Sequence, residues 1–325
     1  MWKKAVMLFI VLLSIESLLI QAAQGKDYSV RPIEIVTFQA AGSGFDIISR
    51  LIAEHFSKYL GQSVIVVNKP GGAGTYAAAD VVNSKPEGYK LYVQGTNYFG
   101  ITVKTQKVSF DPTNLVPIAN FAEWVNIIYV KADSPWKSLP EFIKYGKENQ
   151  GKLRWAHPGR GLPPHLSTYL LFRKAGVETI DLPFKGSAEM LSACLGGHVD
   201  AVSGPYTPVK ENIRAKQIRA LVVWADEAPG EPPDVPCQVD LGFPKAWSLK
   251  VNLALFVHKE TPKNIKNILL DTSQKVLAEQ KFRDAIERVG ARPKFGGPEF
   301  VNQRIRNAEE IGTPILKELG LYVVR

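Results

Sequence analysis

Gly72, Gly74 and Ala77 stand at the spacing G-x-G-x-x-A, after the β-branched run SVIVVN. That spacing can bring a dinucleotide's pyrophosphate onto a helix N-terminus. It requires the first glycine to leave the strand directly and an acidic residue about 20 positions on to hold the ribose. Neither condition holds. Asn68, Lys69, Pro70 and Gly71 intervene before Gly72, and the next strand, KLYVQG, ends in Gln94 and Gly95. The nearest acid, Glu87, lies before that strand in the turn KPEGY. The glycines are read instead as a tight strand-to-helix turn that uses positive φ and close packing, and no cofactor is expected. Nucleophilic and metal chemistry find no motif either. There is no G-x-S-x-G elbow and no H-E-x-x-H, and five His with two Cys give no ligand cluster by spacing.

Other loops have the residue types that bind an anion. In TFQAAGSGFDII a strand ends at Phe38 and a helix starts near Phe45. The small residues Ala40, Ala41, Gly42, Ser43 and Gly44 between them expose backbone N–H groups beside a helix N-terminus, where unsatisfied donors and the helix dipole favour negative charge. Ser43 adds a hydroxyl. Ser43 and Asp46 also fit a capping box, and the two readings are compatible, since an Asp that ties the loop also orients its donors. In HPGRGLPPHLSTYL, Gly159 and Gly161 flank Arg160 ahead of a helix beginning around Pro163–Pro164. Arg160 suits a bidentate carboxylate pair or a solvated loop, and His165 suits an anion contact or a packing and capping role. In LPFKGSAEML, Gly186 permits close approach, Ser187 is a helix cap and Lys185 a point charge. QGTNYFG and VSGPYTP end two further strands and supply Thr96, Asn97, Ser203 and Tyr206. Phe38, Tyr98, Phe184 and Tyr206 are either core residues or apolar walls for a ligand body.

Such loops need a scaffold that ends strands and starts helices side by side. PIEIVTF, SVIVVN and KLYVQG alternate with FDIISRLIAEHFSKYL and YAAADVVNS, the pattern of a parallel α/β sheet. Ile47, Ile48, Leu51, Ile52, Phe56, Tyr59 and Leu60 recur at helical spacing and are expected on one buried face. A second run of strand–helix units follows from VNIIYVKAD to IRALVVWA, then the acidic, proline-rich DEAPGEPPDVPCQVDLGFP, the strand LALFVHKE and C-terminal helices. The chain is expected to leave a first lobe near Val130 and return near Leu253, giving two lobes around a cleft: 26–130 with 246–325, and 131–245.

The N-terminus reads as a secretory signal peptide over residues 1–25: basic MWKK, the apolar AVMLFIVLLSIESLLI, then small residues up to Gly25. A membrane anchor wants about 20 apolar residues, and Glu16 leaves two shorter runs. Net charge is +9, but the Lys and Arg residues are dispersed. A basic stripe with interleaved aromatics is missing, so no nucleic-acid partner is expected. Cys194 and Cys237 do not make a disulfide framework, and Cys194 reads as a buried small residue.

The stretch RPIEIVTFQAAGSGFDIISRLIAEHFSKYLGQSVIVVNKPGGAGTYAAADVVNSKPEGYKLYV resembles the start of the tripartite tricarboxylate transporter substrate-binding proteins, the Bug family. GRGLPPHL, LPFKGSAEMLSACLGGHVDA and ALVVWADEAPGEPPDVP continue the likeness in order. The resemblance implies a type II periplasmic binding fold in which two hinged α/β lobes close on a small organic carboxylate. It also implies delivery to a membrane permease by a monomeric periplasmic protein with no catalytic activity. A ligand-sensing partner of a membrane receptor and an exported hydrolase are the alternatives. The family's ligand-loop Asp falls on Asp46. Here Thr37 precedes Phe38 where the family tends to have Pro, and Ser43 separates Gly42 from Gly44, differences that bear on which ligand is bound.

Overall fold

Residues 28–225 and 232–323 are described by a computed structural model. The signal segment read at 1–25 and part of the acidic connector lie outside those residues. Among the described residues no helix is long and apolar enough to cross a membrane.

The β-branched runs of the N-terminal third form β1 (Ile33–Thr37), β2 (Val64–Asn68) and β3 (Lys90–Gly95), with β1 parallel to both of the others. The intervening helices are α1 (Gly44–Leu60) and α2 (Thr75–Val82), and the short α3 (Thr96–Gly100) follows β3. β4 (Leu115–Trp124) and β10 (Val251–His258) join antiparallel, and β11 (Arg292–Gly296) forms the far edge, giving the order β11-β4-β10-β3-β1-β2. On α1 the buried stripe is Phe45, Ile48, Ser49, Ile52, Ala53 and Phe56. Ile47 and Tyr59, expected on that face, are exposed. At about 100° per residue a face centred on Phe45 and Ile52 turns Ile47 outward, whereas Tyr59 falls on that side but in the last turn of the helix, where it is exposed.

The second sheet contains β5 (Asn126–Lys131), β6 (Leu153–His157), β7 (Thr179–Pro183), β8 (Ala201–Pro205) and β9 (Ile218–Trp224), in the order β7-β6-β8-β5-β9. Its helices are α4 (Leu139–Glu148), α5 (Pro163–Ala175), α6 (Ser187–Leu195) and α7 (Lys210–Arg214). β6 runs parallel to β7 and β8, while β5 is antiparallel to β8 and β9. The chain changes sheets at Val125, ahead of Val130, because the buried run Asn126–Val130 pairs wholly with β8 and β9. Two α/β lobes result. The return to the first sheet passes through a turn at Lys245–Trp247 into β10.

The two crossings are adjacent. Trp124 pairs with Val251 across the sheet, and beside them Lys250 Nζ meets both carboxylate oxygens of Glu123 at 3.2 and 3.3 Å. These side chains are only 6% and 7% exposed. The C-terminal helices are α8 (Lys263–Ala278), α9 (Gln280–Arg288) and α10 (Pro298–Glu318). α10 adds a third connection: Ala308, Ile315 and Leu316 pack with Ile101 and Leu249 against Leu166 and Leu170 of α5. At Gly312 a methyl group would come within 2.8 Å of Ile101 Cγ1, so the helix needs glycine to lie this close. Between the lobes Thr207 Oγ1 also donates to the Gly290 carbonyl. Cys194 and Cys237 are buried and unpaired.

Candidate ligand-binding site

The loop from β1 to α1 is held from behind by one carboxylate. Ser43 caps α1, its Oγ accepting from Asp46 N at 3.2 Å. The return bond of the box goes one residue further back, with Asp46 Oδ2 accepting from Gly42 N at 2.8 Å. Asp46 is 1% exposed and also accepts from Arg50 Nε at 3.0 Å and from Asn68 Nδ2 at 2.8 Å. Asn68 Nδ2 donates in addition to the Gln39 carbonyl at 2.9 Å. Burial alone raises the pKa of Asp46, but the bonds from Arg50, Gly42 and Asn68 and the charge of Arg50 outweigh it and hold the carboxyl below its ordinary value. The consequence is a loop whose outer face, Ala41 and Gly42, stays exposed while its inner face is fixed. Asn68 was not among the sequence candidates. Its signal was a polar residue closing the otherwise apolar β2. Phe38 is half-buried and meets Phe45 edge-on at 5.3 Å, and Phe45 stacks on Trp124 at 5.0 Å.

The glycine turn after β2 does conformational work. Gly71, Gly72, Ala73 and Gly74 have φ of 120°, 53°, 50° and 103° in succession. Gly74 O accepts from Tyr92 Oη at 3.0 Å, Tyr92 Oη accepts from Gln94 Nε2 at 2.7 Å, and Gly72 O accepts from Gln106 Nε2 at 2.9 Å. A methyl group on Gly74 would lie 2.4 Å from Gln94 Nε2. The turn thus packs α2 onto the sheet, as expected of it. It also sets Tyr76 on the outer surface, the ring lying against Gly71.

In the second lobe Asp181, at the middle of β7, gathers the β6–α5 loop. Arg160 donates to it twice, from Nε at 2.8 Å and from a terminal nitrogen at 3.0 Å. His157 Nε2 lies 3.0 Å from Asp181 Oδ2, and His165 Nε2 lies 3.7 Å from it. Both rings accept a backbone N–H at Nδ1, from Gly159 at 3.1 Å and from Gly161 at 3.2 Å. Each neutral ring therefore carries its proton on Nε2, facing Asp181. Among the described residues, only His157, His165 and Asp181 bring three potential ligand atoms within 4.8 Å of one another. A metal on Nε2 would move the proton to Nδ1, against the Gly159 and Gly161 N–H groups, and Arg160 already saturates the carboxylate. The cluster is better suited to shaping the loop than to holding a cation.

Several expected contacts are corrected by burial. His165 is 1% exposed and stacks on Trp155 at 5.7 Å, so its polar atoms serve the loop and not the cleft. Ser203 accepts from Thr168 Oγ1 at 2.7 Å and donates to Pro164 O at 2.9 Å deep in the lobe. Tyr98 and Tyr206 are core residues. Ser187 does not cap α6. Gly186 occupies the cap position without a side-chain bond, and Glu189 reaches back to Lys185 N at 3.2 Å. Thr96 is buried and Asn97 half-buried at the end of β3. Gly161 is buried, Gly159 and Gly186 are half-buried, and Arg160 and Lys185 are exposed.

This cluster makes stability depend on pH. Burial, reinforced by the charge of His157, lowers the His165 pKa to about 4, with Asp181 opposing, and burial lowers His157 as well. An unfolded His takes its proton near pH 6.5. Between that value and the folded one the unfolded chain binds more protons, so stability rises with pH. Urea unfolding at pH 7 and pH 5 is expected to show about 2 kcal/mol lost to His165 on acidification. His165→Gln flattens the dependence by that amount, and equal slopes in both proteins would refute the assignment.

Strand-end loops of two α/β lobes, each opening beside a helix N-terminus, give the architecture of a two-lobe binding protein. The chain belongs to the tripartite tricarboxylate transporter family receptors, matched over residues 48–321. It is 32% identical over 305 residues to the UPF0065 protein in the gbd 5' region of Cupriavidus necator, covering 92% of this chain and 90% of the relative. The ligand-free TctC solute-binding protein from Polaromonas superposes with a TM-score of 0.81 at 30% identity, covering 90% of this chain and all of the other. MatC from Rhodopseudomonas palustris with bound malate superposes at 0.67 and 27% identity, covering 88% of this chain and 100% of MatC.

Proposed function

We propose that this protein is exported and, as a monomer, captures a small organic carboxylate between its lobes and hands it to a membrane permease of the tripartite tricarboxylate type. The lobes that move are 28–124 with 251–323, and 126–225 with 232–245. The observation that carries the reading is the β1–α1 loop, where Asp46 takes the Gly42 N–H and Ala40 O takes the Ser43 N–H, fixing an exposed turn at the start of a 17-residue helix. An anion there would meet the remaining N–H groups of the helix's first turn in a loop already held in place. Across the cleft, Gly159, Arg160 and Gly186 are the proposed contacts, and Thr96 and Asn97 close the first lobe's side. The malate held by MatC supports the ligand class.

Thermal-shift screening of the mature protein is the test. At least one mono- or dicarboxylate is expected to raise the melting temperature in a concentration-dependent way, and native mass spectrometry should show the same acid bound to a single chain. Neutral sugars should leave it unchanged. A shift with sugars and none with acids would reverse the reading.

A further inference from the structure

We infer that a cavity in the first lobe is a second ligand site, one that takes an amphipathic anion: an acyl chain ending in a single carboxylate. None of the proposed cleft contacts lines it, and the inference stands apart from the interlobar reading above.

The first observation is an uncovered sheet edge. β11 pairs with β4 only between Asn120 and Glu123. Gly296 ends that strand and Gly297 already caps α10. The other half of β4, Leu115–Ala119, has β10 on one side and, among the described residues, no strand on the other. A cavity of about 870 Å³ opens there, within the roughly 300–1,000 Å³ of small-molecule sites. Its apolar walls come from both layers that cover the sheet. Leu115, Phe99 and Ile305 pack with the cluster that includes Val301 of α10, and Val116, Ile118 and Leu270 with the cluster that includes Leu269 of α8. Leu115 and Ile118 are buried and the other four half-buried. Pro117, within the uncovered stretch, has no N–H to offer an added strand. The edge therefore suits an apolar ligand body better than a further strand.

The second observation is the charge on the same walls. Lys104, Lys263 and Lys266 line the cavity against a single acid, Glu309, and Glu309 pairs with Lys104. Lys266 Nζ donates to the Lys259 carbonyl at 2.7 Å, a bond that brings no counter-charge. Lys263 is exposed and has no carboxylate partner among the described residues. Both lysines stand in the opening turn of α8, which begins without a side-chain cap and without an acidic residue. The positive end of the helix dipole adds to their charge instead of offsetting it. An acyl chain would cover the apolar walls while its carboxylate meets the two lysines. A short polar diacid would meet the lysines and leave the walls wet. A neutral chain would cover the walls and leave the lysines unmatched.

Isothermal titration of the mature protein with decanoate, butyrate and decanol tests the assignment. Decanoate is expected to bind at least about 10-fold more tightly than butyrate, since six more methylenes leave water. The Lys263→Met/Lys266→Met variant should weaken decanoate by about 10-fold and decanol by less than about 2-fold. Ile305→Trp, which fills part of the cavity, should weaken both by about 10-fold. Melting temperatures of the unliganded variants show whether folding is intact, and the lysine variant, altered only at the surface, should match wild type. Asp46→Ala, which loosens the cleft loop, should leave decanoate within about 2-fold of its wild-type affinity. Decanoate no tighter than butyrate, or equal losses of decanoate and decanol in the lysine variant, would overturn the inference. Loss of decanoate in Asp46→Ala would also overturn it, by moving the acid into the cleft, and would leave the interlobar reading in place. Sedimentation with phosphatidylglycerol vesicles, abolished in the lysine variant and without decanoate binding, would give these lysines to a lipid surface and overturn it as well.

Discussion

A Lys250→Met variant is expected to lose about 3–5 kcal/mol of folding stability, while a Glu123→Met/Lys250→Met double variant recovers most of that loss. The pair lies where both chain crossings pass between the sheets, with side chains only 6% and 7% exposed. Taking two charges out of water is expensive, and their attraction offsets the cost only while both are present. Removing the lysine leaves a carboxylate desolvated and without its partner. Removing both substitutes apolar contact for an ion pair of similar volume, which in buried settings is often close to neutral. Urea unfolding of the single and double variants measures the two terms. A single variant within about 1 kcal/mol of wild type would mean that water reaches the pair, as it does for exposed pairs.

The second large effect is expected at Asp46. Its carboxylate accepts the Gly42 N–H and joins α1 to the end of β2 through Asn68. Replacing it with alanine removes hydrogen bonds of the charged kind, each worth about 1.5–3 kcal/mol, and leaves donors without acceptors. The folded protein should survive with its melting point lowered. Affinity for whichever carboxylate stabilises the wild type should fall by at least about 100-fold, some 2.7 kcal/mol, because the loop then samples conformations in which its N–H groups no longer converge. Asp46→Asn keeps one acceptor oxygen and should fall between the two. Circular dichroism confirms folding and titration calorimetry reads the affinity. Unaltered affinity in a folded Asp46→Ala protein would remove this loop from the binding site.

The elements were legible in the sequence wherever local pattern decides them. The run after β1 forms α1 with its Ser43 cap, and Gly176 ends α5 in the left-handed conformation that glycine favours at a helix C-terminus. What stayed hidden was pairing at a distance. Asp181 lies 24 residues from His157 and Glu123 lies 127 from Lys250, and no periodicity joins such residues. For the same reason the sequence candidates included Ser203 and His165, whose polar atoms are satisfied inside the lobe, and omitted Asn68, which holds Asp46. The change of sheets at Val125 was illegible because Asn126–Val130 is buried throughout and would suit a central strand of either sheet. β11, with a proline and an irregular register against β4, lacks the alternation that marks a strand.

The apolar seam formed by α10, Leu249 and α5 constrains how the molecule can move. Pulling the lobes straight apart would wet Leu166, Leu170, Ile315 and Leu316 together, whereas swinging them about that line keeps it dry. In such a pivot the seam would act as an axle, with displacement growing with distance from it. Opening by such a rotation is expected to carry little of the heat-capacity signature that exposing a hydrophobic core would give.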